Sequence, residues 1–139
     1  MPYATQSDIE DLWGADFLAD LLPDDVDATA SVEQALLKAS QEIDVHLSAR
    51  YALPLDTPPA VLVQPAVNIA VYILANRHTA LTQTIEDRYE QATDLLKRIA
   101  DGKAGLGADE PRVTSESGAS TGGAAFSADK RLFKRGGGL

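Results

Sequence analysis

Apolar residues recur every three or four positions along most of the first hundred residues, the spacing of one face of an α-helix. The longest regular run begins at Ser31, whose hydroxyl suits a helix N-cap. It ends before Pro54, because proline disfavours helical geometry at Leu53. The pattern predicts a long amphipathic helix over residues 31–50. Its apolar face consists of Val32, Ala35, Leu36, Ala39, Ile43 and Leu47.

Two short helical segments are predicted before this long helix. The first covers residues 5–13, because Thr5 and Asp8 form a variant of the capping box and Gly14 provides a stop. The second covers residues 17–22, between Asp16 as a cap and Pro23 as a breaker.

Two further helices are predicted after the proline-rich turn at residues 54–59. Residues 60–80 are apolar on nearly all sides, which is typical of a buried central helix. Pro65 either kinks this helix or moves its start towards Gln64, and the β-branched run also allows a strand, although length and alanine content favour a helix. The last helix covers residues 85–101, opening near Thr84 with Gly102 as its C-terminal cap.

The composition changes at Gly105, after which glycine recurs and apolar residues become sparse. We therefore expect an all-α domain over residues 1–105, a small bundle of about four helices, and an extended glycine-rich tail over residues 106–139. The tail carries aromatic and basic side chains together, which indicates a segment that binds a partner. A disordered end, or an added remnant at the last glycines, is the alternative. The proposed docking residues are Phe126, Leu132, Phe133, Lys134 and Arg135.

The net charge of −9 is unevenly distributed along the chain. Residues 1–50 carry eleven acidic side chains against two basic ones, whereas residues 111–139 have a balance of +3. Such an acidic body should repel DNA. The alternative explanation of the charge is that it only keeps the protein soluble. The tail is the part suited to contact with phosphate or with an acidic protein.

Catalytic and metal-binding patterns are not found in the sequence. The acidic run Asp24, Asp25, Asp27 lacks the central glycine and distal glutamate of a calcium loop, so we expect no metal. Asp44, His46 and Ser48 point in different directions on a helix and do not form a triad. Without a phosphate-binding loop or nucleophile elbow, we expect neither a cofactor nor an enzyme.

The location that we expect is a cytoplasm. The chain has no cysteine for disulfides, and its N-terminus lacks the pattern of a signal peptide. The apolar run near residues 60–75 is interrupted by Gln64, Pro65 and Asn68, so we expect no membrane span.

Short motifs in order along the chain resemble the Mu-like phage and prophage family of small head–tail joining, or neck, proteins. Each motif is weak alone, and their joint order makes the resemblance specific. They are Tyr3-Ala4-Thr5, Asp8-Ile9, Trp13-Gly14, Glu42-Ile43-Asp44, Arg50-Tyr51, Leu53-Pro54-Leu55, Ile69-Ala70, Arg88-Tyr89, Leu95-Leu96, Gly102-Lys103 and Arg131-Leu132-Phe133-Lys134-Arg135.

The resemblance implies a helical connector protein of the virion neck, made in the bacterial host cytoplasm. Such a protein assembles as a ring, expected to have about twelve copies, whose contacts are head-to-tail. The ring would bind the portal protein and the next neck or tail protein, and DNA would pass through it without specific binding. The signature or subunit-interface residues that it implies are Asp44, Arg50, Tyr51, Arg88 and Tyr89.

Other functions remain open from the sequence. A small acidic regulator would bind a basic protein through its body, remain a monomer and tolerate loss of the tail. Another neck or tail-completion component would share the family and the fold while occupying a different layer of the virion.

Overall fold

The computed structural model describes residues 2–107, and these residues form an all-α bundle, as the sequence predicts. The proposed tail residues lie outside the described residues. The helices in chain order are α1 (Gln6–Trp13), α2 (Phe17–Leu21), α3 (Ala28–Leu47), α4 (Val63–Arg77) and α5 (Gln83–Ala100), with a 3₁₀ turn (Ala60–Leu62) directly before α4.

The two short N-terminal helices lie where the sequence predicts them. The Thr5 hydroxyl accepts the Asp8 amide, and the Asp8 carboxylate accepts the Thr5 amide at 2.8 Å, which completes the capping box. Gly14 ends α1 at a φ of 104°, a backbone conformation that residues other than glycine rarely adopt. Asp16 precedes α2 as predicted, but its side chain makes no capping hydrogen bond.

The long helix α3 starts and ends earlier than predicted. Its N-cap is Asp27, whose carboxylate accepts the Ala30 amide at 3.2 Å, so Ser31 lies one turn inside the helix. A carboxylate also interacts favourably with the positive end of the helix dipole, which explains why Asp27 rather than Ser31 caps it. The helix ends at Leu47 instead of Arg50, and the chain leaves it through turns at residues 48–51.

Pro65 lies in the first turn of α4, which begins at Val63, so the helix starts near Gln64, the second of the two alternatives that the sequence allows. It is the third residue of α4, where backbone amides have no partner within the helix and a missing N–H therefore costs nothing. The end at Arg77 comes three residues before the predicted one. Thr79 adopts a φ of 57° there, and the Ala80 amide donates to the Ala75 carbonyl at 2.8 Å, which closes the helix.

The last helix, α5, is capped by Thr82 and not by Thr84 as predicted. The Thr82 backbone is extended and its hydroxyl accepts the Ile85 amide at 3.2 Å, whereas Thr84 already lies in the helix. Gly102 follows the helix at a φ of 83°, and the Lys103 amide donates to the Arg98 carbonyl. The predicted glycine stop is therefore confirmed.

Helix α4 forms the centre of the bundle and packs against α3, α5 and α1. Residues 60–77 are long and apolar enough for a membrane span by length and composition alone, with a mean hydropathy of 1.3, so Gln64, Pro65 and Asn68 do not interrupt the run enough to exclude one. In the structure 56% of this stretch is buried among the other helices, as in the core helix of a bundle. The core continues to Leu106, which is also buried.

Candidate functional site

Asp44, one of the signature residues, holds the N-terminal segment against α3. The Tyr3 hydroxyl donates to Asp44 Oδ1, and the Tyr3 amide donates to the buried Ser40 Oγ at 2.9 Å. Burial of the phenol raises the pKa of Tyr3, and the hydrogen bond to Asp44 and the charge of Asp44 raise it further. Tyr3 is therefore a neutral donor at physiological pH, and Asp44 has a structural contact inside the protomer.

Arg50 fixes the C-terminal end of α5. Its Nη1 donates to the carbonyls of Ile99 at 2.8 Å and of Ala104 at 2.9 Å, and the guanidinium lies 5.0 Å from the centre of the Tyr51 ring. The last carbonyls of a helix lack partners within it and carry partial negative charge, so a cation is stabilising at this position. Tyr51 itself is buried.

Tyr89 joins the three long helices. Its ring stacks on Tyr72 of α4 with 4.0 Å between ring centres, and its hydroxyl donates to Glu42 Oε2 of α3 at 3.2 Å. Burial raises the pKa of Tyr89, and the negative charge of Glu42 raises it further. The neutral phenol is thus the form that the folded protein favours.

Arg88 and Trp13 connect the short helices to the bundle. The Arg88 guanidinium lies 5.3 Å from the centre of the Trp13 ring. The centres of the Trp13 and Phe17 rings are 4.8 Å apart. The indole Nε1 donates to Asn68 Oδ1 of α4 at 3.2 Å. The sequence analysis does not predict this contact of Asn68, which it treats only as an interruption of an apolar run. The available signal is that a polar residue in a buried helix needs a hydrogen-bond partner.

All five signature residues therefore make contacts within the protomer. Arg88 and Tyr89 are half-buried, and Arg50 is exposed although its guanidinium is engaged. The proposed docking residues of the tail lie outside the described residues, and the structure gives them no position. They are Phe126, Leu132, Phe133, Lys134 and Arg135.

The three polar residues near the end of α3 contact different groups, as their spacing predicts. Asp44 accepts from Tyr3, His46 Nδ1 lies 3.2 Å from the Glu42 carbonyl, and Ser48 Oγ donates to the Val45 carbonyl at 2.8 Å. Within residues 2–107, no three His, Asp or Glu side chains are grouped so as to hold a metal ion. Asp27, from the acidic run, is the cap of α3.

Two surface features that sequence reasoning missed have the character of binding surfaces. The first is a groove of about 310 Å³ between the 3₁₀ turn, the first half of α4 and the middle of α5. We call it the α4–α5 groove. Its lining includes Val61, Gln64, Pro65, Asn68, Gln91 and Leu95.

The second feature is the outer face of α3, where Leu37, Gln41 and Val45 follow one another at intervals of four residues. Leu37 is 45% exposed and Val45 is 71% exposed. Leu37 and Val45 thus share one exposed helix face, with the polar Gln41 between them. We call these three residues the α3 outer stripe.

Acidic charge dominates the body. Residues 1–107 hold seventeen acidic side chains and seven basic ones, and the first basic residue is Lys38. Asp11, Asp16 and Asp20 on or beside α1 and α2 are all exposed. This surface suits a basic partner and disfavours contact with nucleic acid phosphates.

Comparison with known proteins assigns the chain to a family. Residues 3–123 match the family described as Bacteriophage Mu, Gp36. The chain belongs to this family. It is 44% identical over 92 residues to the Mu-like prophage FluMu protein gp36 of Haemophilus influenzae, covering 65% of this chain and 64% of that protein. It is also 34% identical over 100 residues to gene product J of Escherichia phage Mu, covering 72% of this chain and 67% of that protein.

Membership of the Mu Gp36 family makes this a phage or prophage protein, as the sequence motifs predict. The family match begins at Tyr3 and includes the contacts of Asp44, Arg50, Trp13 and Tyr89 described above. It ends at residue 123, before Phe126. The chain spans just under two thirds of the length of the Haemophilus protein.

Proposed function

We propose that this protein is a connector of the phage neck, which assembles as a ring under the portal protein and joins head to tail. The role is structural and not catalytic, and its place is the virion. The observation that carries the proposal is the α3 outer stripe in a protein of a Mu-like phage family. An exposed apolar stripe on a polar helix face indicates a surface that another protein covers.

A ring supplies the partner for this stripe. In a cyclic ring each copy uses two different surfaces, so the stripe of one copy would meet another face of its neighbour. Helix α1 offers a candidate for that second face, since its Leu12 is 43% exposed. The segment before α1 is tied to α3 through Tyr3, and α1 and α3 both pack against α4, so the faces of α1 and α3 would keep a fixed relation.

The acidic body supports passage of DNA through such a ring. With a balance of −10 over residues 1–107, the body offers few basic groups to replace the counterions of the DNA backbone. DNA would therefore move past without adhering. The tail, which carries Phe126, Leu132, Phe133, Lys134 and Arg135, would bind the portal protein or a neighbouring copy.

Substitution of the stripe tests the assembly surface. Val45→Asp places a charge on an exposed position, so the helical fold should persist while self-assembly and assembly on the portal protein are lost. Gln41→Asp adds the same charge to the polar position between the two apolar residues and serves as the matched control, with a smaller loss expected. Assembly of Val45→Asp equal to that of the wild type, measured by native mass spectrometry, would remove the stripe from the interface.

Deletion of residues 126–139 tests the tail. We expect loss of portal binding with unchanged helical circular dichroism, because residues 2–107 contain every helix and buried core residue described above. Unchanged portal binding would overturn the assignment of the tail.

A second candidate function, an acidic regulator of a basic protein, is favoured by the nine acidic residues that precede Lys38. It predicts a monomer that ignores the portal protein, tolerates loss of the tail and binds its partner less tightly as salt is added. Mutation of Asp16 and Asp20 to Asn would weaken that binding. The same pair should leave ring assembly through the α3 outer stripe intact.

A further inference from the structure

The α4–α5 groove contains a buried amide with an unused donor. Asn68 is only 4% exposed, and the single hydrogen bond of its side chain within residues 2–107 comes from Trp13 Nε1. An indole N–H only donates, so the atom facing Trp13 must be the amide oxygen. The Asn68 NH₂ group is therefore directed away from Trp13, and Asn68 itself lines the groove. Among the described residues only His78 Nε2 is a fully buried polar side-chain atom without a hydrogen-bond partner, so the Asn68 NH₂ group is accessible, and a carbonyl oxygen of a ligand in the groove can accept its hydrogen bond.

The remaining lining suits a peptide. Val61, Pro65 and Leu95 give an apolar floor, while Gln64 and Gln91 add amides that both donate and accept hydrogen bonds. A peptide presents apolar side chains and backbone amides together, whereas an apolar small molecule would leave the Asn68 donor without a partner. A volume near 310 Å³ lies at the lower end for small ligands, which suits one large side chain and its adjoining backbone.

We propose that the α4–α5 groove binds residues 130–135 of the same chain, with Leu132 and Phe133 on its apolar floor. This segment is the one place in residues 108–139 where two large apolar residues adjoin. Four of its six residues are basic: Lys130, Arg131, Lys134 and Arg135. Residues 1–107 carry seventeen acidic side chains against seven basic ones, Glu90 and Asp94 on α5 among the exposed acidic ones, so the bundle as a whole attracts a basic segment.

The length of the connecting chain favours binding within one copy. Twenty-four residues separate Gly107 from Leu132, and an extended chain gains about 3.3 Å per residue, so the segment reaches any part of its own bundle. The lining residues of α5 lie only one to three turns before its end at Ala100. Attachment to the same chain gives an effective concentration of about millimolar, which exceeds the concentration of other copies in dilute solution.

Docking in the groove would hold the segment away from other proteins until assembly. The inference goes beyond the connector function and does not require it, because it concerns the free protein. A segment that occupies its own groove is not available to a portal protein at the same time. Release from the groove would then accompany binding of the segment elsewhere.

Nuclear magnetic resonance of the full chain tests the docking. The double variant Leu132→Ser with Phe133→Ser removes both apolar side chains and keeps every charge. We expect shifts in the backbone amides of Val61 and Leu95 and in the Asn68 side-chain NH₂ signals, with the signals of Gln41 on α3 unchanged. Phe126→Ser, which removes an aromatic residue from the same tail outside the segment, is the control and should leave the groove signals in place. Groove signals that are identical in the wild type and the double variant would overturn the proposal.

Photo-crosslinking decides whether the segment comes from the same copy. Replacement of Phe133 by a benzoyl-phenylalanine keeps an aromatic group on the floor of the groove. Irradiation of the dilute full chain should join residue 133 to the 61–68 or 91–95 peptides within a product of monomer mass. Cross-links confined to a product of dimer mass, or to peptides outside the groove, would overturn it.

Discussion

The polar groups between α3 and α5 are largely satisfied within the protomer, whereas the α4–α5 groove and the α3 outer stripe present groups without such partners in the described residues. Between α3 and α5, the Tyr89 hydroxyl donates to Glu42, while Arg50 after α3 donates to the carbonyls of Ile99 in α5 and of Ala104 just after it. Tyr3 in the N-terminal segment likewise donates to Asp44 of α3. In the groove, by contrast, Asn68 has a donor to spare, and Val45 on the stripe is largely exposed. The residues that form recognisable motifs thus hold the fold, and the surfaces suited to partners consist of less distinctive residues.

The largest expected difference in stability is between substitutions at two residues of α3 that lie two positions apart. Ile43 is fully buried and Val45 is 71% exposed. We expect Ile43→Ala to lower the free energy of unfolding by about 2–5 kcal/mol, because it leaves a cavity in the core. Val45→Ala should change it by less than about 0.5 kcal/mol. Urea denaturation followed by circular dichroism measures both, and equal losses would contradict the distinction between core and stripe.

Arg50 tests whether a signature residue stabilises the fold. Arg50→Ala removes hydrogen bonds to the carbonyls of Ile99 in the last turn of α5 and of Ala104 in the turn that follows, and should cost about 1.5–3 kcal/mol of stability. Lys97→Ala, an exposed cation on the same helix, is the control and should cost less than about 0.5 kcal/mol. If denaturation shows full stability for Arg50→Ala together with failure to assemble, Arg50 belongs to a subunit interface instead.

The Tyr3–Asp44 hydrogen bond should make the stability of the protein depend on pH in alkali. The pKa of Tyr3 is raised in the folded protein, so above the ordinary tyrosine pKa of about 10 the unfolded chain loses this proton first and stability falls as pH rises. Below that pH, Tyr3→Phe should cost about 1 kcal/mol through the lost hydrogen bond to Asp44. The variant should also lose stability less steeply in alkali than the wild type, by up to about 1.4 kcal/mol per pH unit. Parallel alkaline profiles of the two proteins would show that the Tyr3–Asp44 contact has no such effect.

The smallest expected changes in stability come from substitutions at the ends of two helices that have similar backbone geometry. Thr79 after α4 and Gly102 after α5 both have positive φ, and each is followed by an amide that donates back across the last turn. A β-branched residue is strained there, so Thr79→Gly should stabilise the protein by roughly 0.5–1 kcal/mol. Gly102→Ala should destabilise it by a similar amount. Melting temperatures that move in the same direction for both variants would be inconsistent with this account of the two ends.

Local sequence signals predicted much of the bundle but not its helix boundaries. The capping box at Thr5 and Asp8 and the stop at Gly102 were readable because each depends on residues close in sequence. The start of α3 was not, since Asp27 and Ser31 are both good caps and the helix extends to the earlier one. The choice of Thr82 over Thr84 for α5 is of the same kind.

The binding surfaces were less predictable than the fold. The α4–α5 groove depends on residues 30 positions apart, and Asn68 is defined by its contact with Trp13, 55 residues away. Patterns within one helix do not contain such pairings. The motif residues Asp44, Arg50, Arg88 and Tyr89 could be picked out from the sequence, but the contacts that give them their roles could not.

The mass of the assembly formed with the portal protein of the same phage tests the central proposal most directly. Native mass spectrometry of the full chain, alone and then mixed with portal rings, would count the copies bound. We predict a closed ring of about a dozen copies on each portal ring, formed alone or only upon mixing. A strict monomer that leaves the mass of the portal ring unchanged would contradict the connector function.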